Sequence, residues 1–269
     1  MIQNRFRLIA IAGLIASSMA LAAGDEKKKV IQEEYIVDQH TMLNISNKFG
    51  DVIIKDWNDD KISVKVTITV DARNENRATE ILEYIEIERY QSGNSIHFET
   101  DINSKIESSG FGWFGNSGSH ELDIDYEIFA PTYIALALSN KYGDVFINRL
   151  DGHAAIDVKY GNLLINTLTR GDEKPLNQIT LGYSDGDIES LNWAKMDIKY
   201  SNLEITRGKA LILVSKYSKL YLDKASSLVA ESKYDVYKID VISNFVATAA
   251  YGNYKFEEVL KKFQIESRY

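Results

Sequence analysis

Polar and apolar residues alternate with a period of two over much of the chain, the mark of strands with one buried face. The alternation is clean in KISVKVTITV (61–70), SIHFETDI (95–102) and ELDIDYEIF (121–129), which predicts at least three strands in the first half. Between the first two of these, ENRATEILEYIEIE (75–88) places Ala78, Ile81, Leu82 and Ile85 at helical spacing and predicts a short amphipathic helix over 75–86. From residue 131 the alternation becomes a repeat. NKYGDVFI (140–147), VKYGNLLI (158–165), LGYSDGDI (181–188), IKYSNLEI (198–205), SKYSKLYL (215–222), SKYDVYKI (232–239) and AAYGNYKF (249–256) share one template, and ESRY (266–269) begins another copy. NKFGDVII (47–54) is an isolated earlier copy with Phe49 in the tyrosine slot.

The tyrosines Tyr142, Tyr160, Tyr183, Tyr200, Tyr217, Tyr234, Tyr251 and Tyr269 follow one another at 18, 23, 17, 17, 17, 17 and 18 residues. Apolar residues precede them at two and four positions, as Ile198 and Met196 do before Tyr200, and follow at three and five, as Leu203 and Ile205 do. Turn-forming pairs such as Gly143-Asp144, Gly161-Asn162 and Ser201-Asn202 separate the two runs. Each unit reads as strand, tight corner, strand, looser corner, and the constant step favours parallel coils laid on one another about 4.8 Å apart. The expected fold is therefore all-β: a parallel β-solenoid of about 17-residue two-strand coils over 131–269, preceded by an N-terminal β-rich region with one helix over 23–130. Residues 169–175, which carry Gly171, Pro175 and charges, account for the 23-residue step as a surface loop.

Counted through the repeat, the tyrosines share the parity of the apolar positions before them and are expected to form a structural ladder facing inward or half-inward. A second ladder, Lys141, Lys159, Lys199, Lys216 and Lys233, with Lys48 and Arg268 in the same slot, has the opposite parity and should face solvent. Its like charges repel at strand spacing and suit an acidic glycan or phosphate, whereas Asp157, Asp197 and Glu231 two residues ahead of their lysines would neutralise it. A Gly- and Ser-rich stretch, 103–120, holds Phe111, Trp113 and Phe114, candidate partner contacts on a flexible loop. The last alternating residues, Phe263, Ile265, Ser267 and Tyr269, are expected to form a rung whose unpaired edge invites self-association or a partner strand.

Composition narrows the chemistry. The first residues, with Arg5 and Arg7 before an apolar run and Ala20-Leu21-Ala22 after it, read as a signal peptide over 1–22. Export follows, and after cleavage no transmembrane span is expected. The chain carries 31 Lys+Arg against 39 Asp+Glu, a net charge of −8, and loses two arginines with the signal, so nucleic acid is a poor partner. With no cysteine there is neither a thiolate metal site nor a cysteine nucleophile. Asp56-Trp57-Asn58-Asp59-Asp60 starts like a calcium loop but has Lys61 where glycine is needed and Thr67 where the glutamate should be. His40, His97, His120 and His153 lack metal-ligand spacing. Gly115-Asn116-Ser117-Gly118-Ser119 is not a nucleophile elbow. No catalytic residue, metal or cofactor is expected.

NKFGDVII and NKYGDVFI, the alternating strands and helix between them, the FAPTYIALALSNKYGDV stretch around Pro131 and the KY[GS][ND] repeats resemble the putative-adhesin family of exported bacterial β-solenoid proteins. The resemblance covers roughly residues 30–269. It implies an exported, periplasmic or cell-surface protein of the envelope of a Gram-negative bacterium, with no catalytic residues to carry over. With no catalytic constellation in the chain itself, the expected function is that of a non-enzymatic, adhesin-like module that binds an envelope protein or a glycan. The alternative is a polysaccharide-active β-helix enzyme, a lyase or hydrolase.

Overall fold

The computed structural model describes residues 26–103 and 121–268. Among them are 17 strands hydrogen-bonded into one mixed sheet, and one helix. The protein is all-β.

In the first half, β1 (Glu26–Ile36) runs antiparallel to β4 (Lys61–Asp71), which runs antiparallel to β7 (Glu121–Pro131). β5 (Ile85–Ser92) and β6 (Ser95–Ile102) form an antiparallel hairpin. The helix, α1 (Glu75–Glu83), starts where the Asn74 side chain accepts a hydrogen bond from the Arg77 backbone N–H at 2.9 Å. It buries Ala78 and Ile81 against β1, β4 and β5. It ends short of 86 because Ile85 and Ile87, both buried, alternate with Glu86 and Glu88, and period two takes over from helical spacing.

Between these elements lie β2 (Met42–Lys48) and β3 (Val52–Trp57), joined by a corner at Phe49-Gly50. β2 pairs parallel with β6 on one side and with β8 (Ala135–Lys141) on the other, and β3 likewise joins β7 to β9 (Val145–Leu150). The isolated motif at 47–54 is therefore a rung of the stack, seated directly against the first copy at 140–147 although the two lie 93 positions apart in the sequence. Phe49 N–H donates to the Lys141 carbonyl at 2.9 Å.

Onward from β8 and β9 the pairings are parallel. β10 (Ala154–Lys159) lies on β8, β11 (Asn162–Leu168) on β9, and β12 (Asn177–Gly182) on β10. β13 (Asp185–Lys199) spans both faces, its first half on β11 and its second on β12. β14 (Asn202–Lys216), β15 (Lys219–Lys233), β16 (Val236–Ala250) and β17 (Asn253–Arg268) follow, each offset from the last by 17 residues, with one register shift between Ile242 and Asn244.

Inward positions make one continuous core. Leu203, Ile205, Leu211 and Leu213 of a single rung are each at most 2% exposed, and burial of such side chains contributes roughly 1.5–3 kcal/mol apiece before entropy is charged. Where the template places Ser215 and Ser232 in an apolar slot, the rung above compensates with Tyr237 and Tyr254, whose hydroxyls meet the serine Oγ atoms at 2.5 and 2.6 Å. Burial pushes the Tyr237 hydroxyl well above the usual phenol range.

Candidate functional site

The residues that recur at the corner decide what the corner displays. Phe49, Tyr142, Tyr160, Tyr183, Tyr200, Tyr217, Tyr234 and Tyr251 all have φ between 52° and 63°, the left-handed region. A left-handed residue interrupts the pleat, so parity counted through it fails. The rings accordingly do not turn in, as the alternation had suggested. Tyr160, Tyr183, Tyr200, Tyr217, Tyr234 and Tyr251 are 41–57% exposed, while Phe49 and Tyr142 are half-buried.

The eight rings stack without a break from Phe49 to Tyr251, with centroids 4.8–5.3 Å apart and planes within 13°. Each interior ring has both faces covered by its neighbours, which leaves edges and phenolic groups to solvent. A stacked pair is worth about 0.5–1.5 kcal/mol, and holding a non-glycine residue left-handed costs about 1–2 kcal/mol. The two nearly cancel, so the ladder does not stabilise the fold beyond what glycine or asparagine would give at the same corner.

This placement sets an expectation for Tyr200. Tyr200→Ala should lower stability by about 1–3 kcal/mol through two lost stacking neighbours. Tyr200→Gly should cost about 1 kcal/mol less, because glycine also relieves the left-handed backbone. Urea melts of the two variants check this. A tyrosine in an unbroken pleat, with the ordinary negative φ of a strand, would give the reverse order, with glycine the worse.

Beside the rings runs the lysine column. Register pairs Lys48 with Lys141 and Lys141 with Lys159, then interposes Gly182, then pairs Lys199 with Lys216 and Lys216 with Lys233. Lys159, Lys199, Lys216 and Lys233 are exposed and Lys141 half-exposed. Lys159 and Lys199 each reach back 3.2 Å to Asp157 and Asp197 in their own strand. Lys141 and Lys216, which have Ser139 and Val214 in that slot, instead place their ammonium groups over the rings of Tyr142 and Tyr217, at 4.8 and 5.3 Å. Lys233 lies 5.5 Å over Tyr234.

On the other side of the rings the character changes along the stack. Lower down stand Asp51, Asp144 and Asp185. Asp51 accepts the Asp144 backbone N–H at 2.8 Å, and Asp144 accepts that of Asn162 at 2.7 Å, so these carboxylates serve the corner backbone. Higher up the same column reads Asn202, Lys219 and Val236. Lys219 is exposed, two residues after Tyr217, and lines the groove on the strands after the corner together with Asp185, Asp187 and Glu204. It was not singled out from the sequence.

Elsewhere the candidates separate. Phe111, Trp113 and Phe114 lie outside the described residues, as does His120. His97 stacks on Tyr90 at 4.5 Å, and the His153 ring nitrogen meets the Leu176 carbonyl at 3.1 Å, with burial pulling its pKa down. Among the described residues no group of three or more His, Cys, Asp or Glu is placed to hold a metal ion, and no helix is long and apolar enough to cross a membrane. A shallow groove of about 510 Å³ on the strands after the corner is lined by Asp185, Asp187, Glu204 and Tyr221 among others.

No protein-family model and no curated protein matches the chain. Solved structures similar to it include one described as a putative lipid binding protein from Parabacteroides distasonis, 12% identical with a TM-score of 0.41, covering 88% of this chain and 94% of that one. A putative adhesin from Bacteroides fragilis is 13% identical with a TM-score of 0.36, over 89% of this chain and 96% of that one. A putative cell adhesion protein from Clostridium sporogenes is 11% identical with a TM-score of 0.26, over 88% and 99%.

Proposed function

We propose that this protein is an exported, non-enzymatic binding module of the cell envelope, adhesin-like in role, built as a parallel β-solenoid of 17-residue coils. The observation that carries the reading is the outward tyrosine ladder. Glycine or asparagine would occupy a left-handed corner at little cost. Tyrosine recurs there instead, rung after rung, with its ring edge and hydroxyl in solvent and, except at Tyr183 and Tyr251, a lysine just before it. Exposed tyrosine and lysine along one corner are a contact surface, since tyrosine supplies rigid contact area at a low entropy cost.

The test is capture from the native envelope with the wild-type chain and with a variant carrying Tyr183→Asn, Tyr200→Asn and Tyr217→Asn. Asparagine tolerates the left-handed corner, so the fold should persist. Recovery of a partner by the wild type and its loss with the variant is the expected result. Equal recovery by both would move the contact surface elsewhere. Turnover of polygalacturonate or alginate by the wild type would replace the reading with that of a polysaccharide-active enzyme.

A further inference from the structure

We propose that the upper part of this strip, from Tyr200 to Tyr234, binds a linear acidic polysaccharide laid along the stack. The inference rests on the reading of the strip as a contact surface and names what it contacts.

Three observations converge on this segment. Lys199, Lys216 and Lys233 stand directly opposite one another in consecutive parallel strands, one strand spacing apart. Like charges in that register repel, and the repulsion is relieved when an anionic group sits between or above them. Lys219, exposed two residues past Tyr217, adds a fourth cation nearby on the strand after the corner, in the groove that also holds Asp185, Asp187 and Glu204. Lys199 shares its charge with Asp197 at 3.2 Å, while Lys216 and Lys233 lie over the rings of Tyr217 and Tyr234, so the segment is a row of cations on a chain whose net charge is −8, and an anionic ligand is drawn to it in preference to much of the remaining surface.

The shape of the ligand follows from the shape of the site. The rungs present one ammonium and one phenol each at a repeat of 4.9–5.1 Å between rings, in a single file. A polymer of pyranoses advances by a comparable step per sugar, so a uronate chain can offer one carboxylate per rung. The ring faces are closed by their own stacking, with planes within 12° over this segment. Sugars therefore cannot lie flat on them in the usual way. Recognition has to run through hydrogen bonds from phenol and ammonium to carboxylate and hydroxyl oxygens, which neutral glycans satisfy only in part. Each rung contributes little alone, and affinity accumulates with the number of rungs engaged.

The experiment is calorimetric titration of the full chain with galacturonate as the single sugar and as the four-sugar oligomer, neutral galactose and galactan oligomers of the same lengths, and phosphatidylglycerol vesicles. The four-sugar acidic oligomer, which spans all three rungs, should bind at least about tenfold more tightly than the single sugar, weaken as salt is raised, and remain uncleaved. Neutral oligomers and vesicles should not bind. Lys199→Gln, Lys216→Gln and Lys233→Gln combined should weaken binding by about tenfold or more and leave the melting temperature nearly unchanged, since relief of the mutual repulsion offsets loss of the exposed Lys199–Asp197 pair and of the contacts over the Tyr217 and Tyr234 rings. Tyr200→Phe with Tyr217→Phe keeps the stack and should weaken binding several-fold. Equal binding of neutral oligomers, full binding by the lysine variant, vesicle binding in place of oligomer binding, or no binding at all would each overturn the proposal. If oligogalacturonate fails while envelope capture still depends on the tyrosines, only the ligand class is wrong. Failure of both removes the contact surface itself.

Discussion

Asp235→Ala is expected to lower the unfolding free energy by about 3–5 kcal/mol, the largest loss from any polar residue of the stack. Asp235 follows Tyr234 at the corner and is 1% exposed. Its carboxylate accepts four hydrogen bonds, from the backbone N–H of Ser218 and of Lys233 and from the hydroxyls of Ser215 and Ser232, at 2.7–2.8 Å. Truncation leaves the Ser218 and Lys233 N–H groups without this acceptor and the two serine hydroxyls with only the hydroxyls of Tyr237 and Tyr254, and the cost of an unmet buried donor exceeds the net worth of the bond that was lost. The repeat supplies its own control. Ser184, Ser201 and Ser218 occupy the same slot in earlier rungs, where Ser201 and Ser218 accept the backbone N–H of the rung below at 3.2 and 3.3 Å. Asp235→Ser should therefore keep the bond to Ser218 N–H and recover much of the loss. Urea melts followed by tyrosine fluorescence report both. A loss under about 1 kcal/mol for Asp235→Ala would mean that water replaces the carboxylate and that the slot is not sealed.

Gly143→Ala should be nearly as damaging, by about 3 kcal/mol or more, for a steric reason. A Cβ on Gly143 would stand 2.0 Å from the Gly50 carbonyl oxygen, and one on Gly161 would stand 2.0 Å from that of Gly143. The obstacle is backbone on the neighbouring rung, which is fixed by its own ladder and cannot turn aside. The lower rungs are thus held by direct approach of main chain to main chain through Gly50, Gly143 and Gly161, where the upper rungs use serine and aspartate. Gly252→Ala tests the distinction, because its Cβ would meet only the Tyr254 ring, at 2.4 Å from the hydroxyl, and a side chain can shift. Gly171→Ala, with nothing within 4 Å, should be neutral. Equal melting temperatures for the Gly143 and Gly171 variants would contradict the packing described.

Much of this architecture was legible in the order of the residues. Alternation around each tyrosine placed the inward residues, such as Met196, Ile198, Leu203 and Ile205, correctly on both sides of the corner. The repeat step gave the register, since residues 17 apart, such as Lys199 and Lys216, do lie opposite one another. What failed was the residue at the corner itself. Period two describes an unbroken pleat, and a single left-handed residue resets it, so Tyr200 turns outward although Ile198 and Leu203 both turn in. The local clue was the Gly-Asp, Ser-Asn and Gly-Asn pairs that follow the tyrosines, which mark where alternation stops being a guide. The antiparallel pairing of β1, β4 and β7 left no comparable mark, because alternating strands read the same whichever way their neighbours run. The site was legible in part: the lysine column was found and turned to solvent, but the seating of the Lys216 ammonium over the Tyr217 ring needs the corner's shape.

The fixed register has a consequence for how such a chain can change in length. A duplicated block of 17 residues anywhere from β14 to β16 would add one ring to the ladder and one position to the lysine column while leaving every inward residue in its place. Loss of a single residue within one of those strands would turn apolar side chains out and polar ones in. Irregularities in this chain sit where they do least harm. The loop between β11 and β12 absorbs six extra residues, and the register shift between Ile242 and Asn244 absorbs one, both away from the tyrosine corner. The strip therefore behaves as a ruler whose graduations are copied whole, and its reach along a long ligand can be lengthened or shortened by recombination in discrete steps without redesign of the core.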